Sequence, residues 1–188
     1  MSTDNSEIFI EFPKMARLSR EIIITEKIDG TNAQVWIADD GVTMRTGSRT
    51  RWVTPENDNH GFAKWAEANR DDLLRLGPGR HFGEWWGRGI GRKYLIGEQR
   101  FSLFNVSRWD DTAVRPSCCH VVPTLYRGLF TTEDVEHTLA TLAASGSVAS
   151  PGFMRPEGVV VFHIAGNVGF KKTIEKDELS KWQREGGA

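Results

Sequence analysis

The chain is organised around the stretch Thr25-Glu26-Lys27-Ile28-Asp29-Gly30-Thr31-Asn32. The β-branched residues 22–24 precede this stretch and the strand-like residues 33–38 follow it. Lys27 is therefore expected at the end of a strand, next to two carboxylates and a glycine turn. Two interpretations are open: an ordinary turn lysine, or a functional lysine among groups that can hold a phosphate ester, a metal ion or a ribose.

The composition is that of a soluble globular protein. The 188 residues are 39% hydrophobic and 26% charged, which suits one domain over residues 1–188. No apolar run approaches the ~20 residues of a membrane span, and the polar N-terminus does not resemble a signal peptide. The adjacent Cys118 and Cys119 are poorly placed for a bridge between distant elements or for a zinc site. We therefore expect a cytoplasmic protein with no membrane partner.

The charge is unevenly distributed along the chain. The net charge is −1, but residues 45–51 contain three arginines and no acid. Residues 75–115 contain eight Lys or Arg and four acids. These segments are either solvated basic surfaces or parts of a groove for a polyanion, whose affinity would fall as salt rises.

The local patterns predict an α+β fold in which helices pack outside antiparallel sheets. Strands 21–26, 31–38 and 42–47 are expected to form one antiparallel sheet, with a hairpin turn at residues 39–41. Further strands are predicted at 8–12, 81–84, 101–106, 121–125, 157–164 and 168–171. Helices are predicted at 57–74, capped by Asn57 or Asp58, from Thr131 or Thr132 to the loop 145–156, and at 175–184.

A nucleophilic lysine needs help from its surroundings. An unperturbed lysine has a pKa of about 10.4, and action near neutral pH needs a value of about 7–8. This shift corresponds to about 4 kcal/mol. Adjacent carboxylates oppose it, whereas burial, cations and a divalent metal favour it. The cations available later in the chain are Arg45, Arg49, Arg51, Lys171 and Lys172.

Two aromatic stretches offer further functional groups. Residues 81–92 place Glu84 at a strand end, before Trp85, Trp86 and a loop rich in glycine and arginine. Glu84 suits a ribose hydroxyl or a metal ion, the glycines allow close approach to a phosphate, and at least one tryptophan is expected in the core. In the predicted strand 101–106, one aromatic residue either stacks on a base or packs in the core.

Two charged positions belong to the predicted hairpin 157–171. Glu157 begins a strongly apolar strand, as either a rim charge or a site residue. Lys171 and Lys172 end the paired strand, where lysines are usually solvated.

Together and in this order, these motifs resemble those of the covalent nucleotidyltransferase superfamily, which contains DNA ligases, RNA ligases and mRNA capping enzymes. The strings at residues 26–32 and 83–87 look most like the RNA ligase branch. The resemblance runs from about residue 20 to 173. It implies an ATP-grasp-like nucleotidyltransferase domain, with antiparallel sheets flanked by helices and a nucleotide pocket between the sheets. The motifs are Lys-Ile-Asp-Gly (27–30), Ser-Arg (48–49), Phe-Gly-Glu (82–84), Leu-Phe-Asn-Val (103–106), Glu-Gly-Val-Val (157–160) and Phe-Lys-Lys (170–172).

The resemblance also implies a reaction. Lys27 would attack the α-phosphate of ATP in the presence of Mg²⁺ or Mn²⁺ and form lysyl–AMP. The AMP would pass to the 5′-phosphate of an RNA end or nicked duplex, which a 3′-hydroxyl then seals. The alternatives are a DNA or mixed-strand nick ligase, a capping-type guanylyltransferase and a non-catalytic nucleotide-binding module. A monomer is expected.

By the same resemblance, each site residue has an expected role. Lys27, Lys171 and Lys172 would be catalytic, the last two by neutralising phosphates. Glu157 would hold the metal ion, with help from Glu84. The remaining nucleotide-binding residues would be Glu26 near adenine, Asp29 and Glu84 at the ribose, Arg49 or Arg45 at the sugar or 5′-phosphate, Phe104 stacked on adenine, and Ile28 and Gly30 within the lysine motif.

Two departures from the family pattern affect these expectations. Thr173 stands where a second lysine is common, so the resemblance leaves open which of Lys171 and Lys172 contacts the α-phosphate. The sequence continues for 15 residues after Thr173, too few for the C-terminal domain that such enzymes commonly carry. The resemblance thus implies a stand-alone adenylyltransferase domain that grips nucleic acid through its basic loops or a protein partner.

Overall fold

Two β-sheets pack against each other in a computed structural model of the protein, which describes residues 9–175 and Asp177. The strands are β1 (Glu21–Lys27), β2 (Thr31–Ile37), β3 (Met44–Gly47), β4 (Trp52–Val53), β5 (Gly79–Gly87), β6 (Gln99–Leu103), β7 (Cys119–Val121), β8 (Thr124–Leu129), β9 (Gly158–His163) and β10 (Val168–Thr173). The four-stranded sheet has the order β10-β9-β1-β8, and the six-stranded sheet has the order β4-β3-β2-β5-β6-β7. All neighbouring strands are antiparallel except β6 and β7.

The expectation that the first three long strands form one sheet is wrong. Strand β1 pairs with β8 and β9, whereas β2 pairs with β3 and β5. Burial explains the difference, because five consecutive residues of β1 are buried and both faces of this central strand are therefore covered. In β2, buried and partly buried residues alternate. The chain thus crosses between the sheets at residues 28–30, directly after Lys27.

Gly30 is required at this crossing because the backbone lies against β5. A Cβ atom on Gly30 would lie 2.5 Å from the carbonyl oxygen of Trp85 and 2.7 Å from Cβ of Trp86. Such contacts are closer than side chains tolerate, so a larger residue would push the crossing away from β5.

Helices cover the outer faces of both sheets, as predicted. The helices are α1 (Phe62–Ala68), α2 (Arg70–Leu74), α3 (Val106–Trp109) and α4 (Thr132–Ser145). Helix α4 packs through Val135 and Leu142 on the four-stranded sheet, and α1 and α2 pack on the six-stranded sheet. A third apolar cluster lies between the sheets and includes Ile23, Trp86 and Phe153. Both Trp85 and Trp86 are buried. None of the helices in the described part of the chain is long and apolar enough to cross a membrane.

Several predicted boundaries are corrected by the structure. Residues 9–12 form no strand, and the predicted helix 57–74 is two short helices that begin at Phe62. The N-cap residue is Gly61, not Asn57 or Asp58, although the carboxylate of Asp58 accepts the backbone N–H groups of Ala63 and Lys64 in the first turn. The predicted helix 175–184 lies outside the described residues except for residues 175 and 177.

Two further predicted strands differ from the structure: one extends too far, and the other spans two separate strands. Strand β6 stops at Leu103, because Asn105 caps α3 by accepting from the N–H of Arg108. The predicted strand 121–125 is interrupted at Pro123, which has no N–H for a sheet hydrogen bond. The hairpin of β9 and β10 and the Thr131 cap of α4 are as predicted.

Candidate active site

A cavity of about 850 Å³ opens between the two sheets, where β1 ends and the chain crosses to β2. This volume is in the range of small-molecule binding sites. Strands of both sheets and the turn after β6 contribute its walls. The predicted site residues that line the cavity are Glu26, Lys27, Ile28, Asp29, Gly30, Arg49, Glu84, Phe104, Glu157 and Lys171.

Lys27 forms an ion pair with Glu157 inside this cavity. Its Nζ donates to Oε2 of Glu157 at 2.5 Å, and the two side chains are 23% and 9% exposed. Lys27 stands opposite Gly158 in the pairing of β1 with β9, so the preceding residue, Glu157, is brought to the same end of the sheet. Glu157 thus holds the amino group of Lys27, and a nucleophilic lysine must first be released from this contact.

Glu84 connects β5 to the lysine motif. Its carboxylate accepts from the backbone N–H of Gly30 at 3.0 Å and from Nδ2 of Asn32 at 3.1 Å. Burial raises the pKa of Glu84 to about 7, although the nearby charge of Lys27 and the Gly30 hydrogen bond act in the opposite direction. Glu84 thus holds the crossing in place and changes its charge near neutral pH.

The carboxylate of Glu26 is hydrogen-bonded to a loop that lies far away in the sequence. It accepts from Oγ of Ser147 at 2.5 Å and from the backbone N–H groups of Val148 and Ala149, both at 2.9 Å. Glu26 was expected near adenine, and it does line the cavity. Its charge, however, already has three donors, so the arrangement indicates that Glu26 anchors the loop after α4.

Tyr94 was missed by the sequence analysis. Its hydroxyl accepts from the backbone N–H of Asp29 at 2.8 Å, and burial raises its pKa. The loop that carries Tyr94 also packs directly on the lysine motif, since a Cβ on Gly91 would lie 2.2 Å from the carbonyl oxygen of Asp29. The sequence feature that could have indicated this role is the one tyrosine in a loop that otherwise consists mainly of glycine and charged residues.

Of the two competing arginines, only Arg49 lines the cavity. The guanidinium of Arg45 instead lies 6.0 Å from the ring centroid of Trp36, on the exposed part of the six-stranded sheet. Arg51, a third candidate cation, donates to the backbone carbonyls of Asn57 and Asp58. Arg45 lies on the same face of the six-stranded sheet as the cavity but farther along its strand, so its role at the sugar or 5′-phosphate stays a prediction.

The two consecutive lysines of β10 are separated in the same way. Lys171 lines the cavity, whereas Nζ of Lys172 lies 3.0 Å from Oε1 of Glu136 on α4. Successive side chains of a strand point to opposite faces. This corrects the expectation that both lysines face the nucleotide.

Phe104 lies in the cavity wall with an accessible ring. It follows the end of β6 instead of standing within the strand, and it is 42% exposed. Its backbone N–H donates to the carbonyl oxygen of Phe82 at 3.0 Å, which fixes the position of the turn. Apolar residues that were not among the predicted site residues also line the cavity: Ile23, Val106, Val122, Val160 and Phe162.

The carboxylates suit a metal ion that also binds substrate phosphates. Among the described residues, no group of three or more His, Cys, Asp or Glu side chains forms a complete metal site. Glu84 and Glu157 share the cavity and repel each other electrostatically. Mg²⁺ is commonly bound by one or two carboxylates together with substrate phosphates and water. The pair fits this kind of site.

Comparisons with known proteins agree with this architecture. A protein-family model described as RNA ligase matches residues 20–185. A Naegleria gruberi RNA ligase variant solved with ATP and Mn has 21% identity and a TM-score of 0.58, over 84% of this chain and 51% of that one. Another variant with ATP and Mn has 20% identity and a TM-score of 0.62, over 84% and 51%.

A third Naegleria gruberi RNA ligase variant, solved with AMP and Mn, has 20% identity and a TM-score of 0.60. The match covers 82% of this chain and 49% of that one. No curated protein matches the sequence significantly. The chain spans about half the length of the solved proteins it matches, and at these identities the likeness shows the fold.

Proposed function

This chain belongs to the RNA ligase family, and we propose that it is an ATP-dependent ligase that forms lysyl–AMP on Lys27. The observation that carries the proposal is the position of Lys27. It lines a cavity of about 850 Å³ that Arg49, Lys171 and the two carboxylates Glu84 and Glu157 also line. This is a set of charges suited to a nucleoside triphosphate.

In the first step, Nζ of Lys27 attacks the α-phosphorus of ATP. A P–N bond forms, the bond to the pyrophosphate oxygen breaks, and the ammonium nitrogen gives up two of its three protons, one before the attack and one after it. Lys27 must first leave Glu157, to which it is bonded at 2.5 Å. A divalent cation held by Glu157 and Glu84 would supply positive charge at the phosphates and would occupy the carboxylate that Lys27 gives up.

Lys171 and Arg49 supply the positive charge that the chain itself directs at the phosphates. Lys171 stands opposite Val160 on β9, and both line the cavity. Phosphoryl transfer is accelerated mainly by positioning and by stabilising charge on the transferring and leaving groups. Lys171 therefore stabilises the charge of the pyrophosphate leaving group. Arg49 contacts the sugar or the 5′-phosphate of the acceptor.

The adenosine part of the nucleotide is assigned to the wall between the sheets. The accessible ring of Phe104 provides a stacking surface, which contributes about 1–3 kcal/mol per base. Asp29 and Glu84 border the same cavity and offer oxygen acceptors for the ribose hydroxyls. The apolar Val160 and Phe162 line the cavity from β9.

The later steps transfer AMP to nucleic acid. An oxygen of the acceptor 5′-phosphate attacks the AMP phosphorus, the P–N bond breaks and Lys27 regains its protons. The 3′-hydroxyl of the second end then attacks the activated 5′-phosphorus and AMP leaves. We propose RNA as the acceptor on the strength of family membership, and a DNA or mixed-strand nick ligase is the alternative.

Labelling with radioactive ATP tests the proposal. The protein is incubated with ATP labelled at the α-phosphate and Mg²⁺ or Mn²⁺, then separated under denaturing conditions. We expect a labelled protein band that is absent in Lys27→Ala and retained in Lys64→Ala, a control at an exposed lysine of α1. A label that survives Lys27→Ala, or no label at all, would overturn the proposal.

Two further comparisons separate the alternatives. Labelling by GTP and not by ATP would favour a capping-type guanylyltransferase. Sealing of nicked RNA, nicked DNA or free single strands by the labelled protein would then identify the acceptor.

A further inference from the structure

An exposed surface of arginine and aromatic side chains extends from the cavity along the six-stranded sheet. We define the arginine–aromatic face as Trp36, Arg45, Trp52, Arg80 and Phe82. Pairing places Arg45 and Arg80 on either side of Trp36 across three neighbouring strands. Phe82 stands opposite Gln34, and Trp52 belongs to the same row through Gly47. Residues paired across strands point to the same face of a sheet.

Ring contacts confirm that these side chains share one surface. The ring centroids of Trp36 and Trp52 are 6.2 Å apart. The guanidinium of Arg80 lies 5.4 Å from the centroid of Trp52 and also donates to Oε1 of Gln34 at 3.0 Å. Trp52 and Phe82 remain 42% and 52% exposed. Large aromatic rings grouped in this way on a surface mark an interaction site more often than scattered apolar residues do.

The face is continuous with the cavity along two strands. On β5, Arg80, Phe82 and Glu84 alternate on one side of the sheet, and Glu84 lines the cavity. On β2, Trp36, Gln34 and the cavity residue Asn32 follow the same alternation. The backbone of Phe82 is also bonded to Phe104 in the cavity wall. A ligand that leaves the cavity in this direction meets Phe82 first and the arginines next.

The chemistry of the face matches a polynucleotide strand. All charged members of the face are arginines, which pair with phosphates and stack on flat rings. From Glu84 to Arg80 the strand covers about 13 Å, which equals about four nucleotides at the stacked spacing of ~3.4 Å. A flat aromatic ring such as Phe82 can stack on a base only where the base is unpaired.

We propose that the arginine–aromatic face binds the single-stranded part of an RNA substrate next to its reacting end. Phe82 stacks on a base outside the cavity, and Arg45 and Arg80 hold phosphates, with Trp36 and Trp52 supporting the guanidinium groups. This assignment rests on the proposed ligase function, because it takes the strand that the cavity would act on as the ligand.

Equilibrium binding of a short RNA tests the proposal. The probe is a 5′-phosphorylated 12-nucleotide single strand with a 3′ fluorophore, and its anisotropy is followed at several salt concentrations. Phe82→Ala is expected to weaken binding about tenfold. Arg45→Ala combined with Arg80→Ala is expected to reduce the slope of log K against log salt by about 1.4, since each contact on a single strand contributes ~0.7.

Matched variants on other surfaces serve as controls. Phe170→Ala removes an aromatic side chain that is 58% exposed on β10, and Arg75→Ala combined with Arg127→Ala removes two exposed arginines elsewhere. Arg80→Lys keeps the charge and should retain the salt slope. Thermal unfolding of every variant shows whether the fold is kept, and single-stranded DNA and duplex RNA of the same sequence are measured in parallel.

The outcomes distinguish this proposal from the proposed function. Equal weakening of RNA binding by the face variants and the controls would overturn the role of the face. Unchanged RNA binding by the face variants would also overturn it, and the face would then be a surface for another protein. Failure of the proposed function would show as missing lysyl–AMP in the unaltered protein, whatever its affinity for RNA.

Discussion

Lys171 and Lys172 are neighbours on β10, yet they lie on opposite faces of the four-stranded sheet. Lys171 lines the cavity, and Nζ of Lys172 lies 3.0 Å from Glu136 on α4. The family pattern had left open which lysine acts on the α-phosphate. The geometry favours Lys171, and the two residues therefore form a matched pair for mutagenesis.

Lys171→Ala is expected to slow lysyl–AMP formation by about 10²–10³-fold, because it removes a charge directed at the phosphates. Lys172→Ala breaks an ion pair whose side chains are 32% and 55% exposed, so it should change the free energy of unfolding by at most about 1 kcal/mol. Single-turnover labelling with ATP and denaturant unfolding measure the two effects. Equal loss of labelling in both variants would contradict the assignment.

The buried Glu84 makes stability depend on pH. Burial raises its pKa from 4.5 to about 7 in the folded protein. Between these values the folded state binds more protons than the unfolded state, so the contribution of Glu84 is largest below pH 4.5 and is lost as pH rises through 7. Relative to Glu84→Gln, the unfolding free energy should fall by about 3 kcal/mol between pH 4 and pH 8.

Denaturant unfolding at one-unit pH steps measures this difference. Glu67→Gln, at an exposed position of α1, is the control for the substitution itself. A difference between the wild type and Glu84→Gln that stays constant over this range would show that Glu84 titrates normally.

Glu26 is expected to act on stability more than on base selection. Glu26→Gln leaves one oxygen for three donors, Oγ of Ser147 and the N–H groups of Val148 and Ala149. Hydrogen bonds to charged groups contribute about 1.5–3 kcal/mol each, so we expect the free energy of unfolding to fall by about that amount. Denaturant unfolding checks it, with the exposed Glu67→Gln as control. A change in ATP-over-GTP preference without a loss of stability would instead place Glu26 at the base.

Phe104→Ala is expected to weaken ATP binding about tenfold or more while the protein stays folded. The ring is 42% exposed, so its loss leaves little empty volume, whereas stacking on adenine contributes about 1–3 kcal/mol. The dependence of labelling on ATP concentration measures the affinity, and Phe170→Ala is the matched control on the other face. If the Phe104→Ala protein unfolds, Phe104 is a core packing residue and not a stacking surface for adenine.

Much of the site was predictable because the deciding patterns are local. The β-branched residues before Lys27 predicted a strand that ends at the lysine, and β1 does end there. The apolar run after Glu157 predicted β9, and the turn residues between β9 and β10 predicted their hairpin. The order of the motifs identified the family that the comparison confirms.

Other features depend on residues that are far apart in the chain. Strands β1 and β2 belong to different sheets, although a short connection joins them. Helix α4 covers one face of β1 and the six-stranded sheet approaches the other, while β8 and β9 pair with its two edges. The partners of Glu26 lie more than 120 residues later in the chain. Local sequence patterns do not predict which distant groups donate hydrogen bonds to a buried carboxylate.

By itself, therefore, the sequence determined where Lys27 stands in its strand and which chemical groups accompany it. It left Lys171 and Lys172 as two equivalent candidates for the phosphates. Only the tertiary structure decided which of them faces the cavity, that Arg49 and not Arg45 enters it, and that Tyr94 holds Asp29. The physical reason is that a strand has two equivalent faces until a helix covers one of them and a second sheet approaches the other.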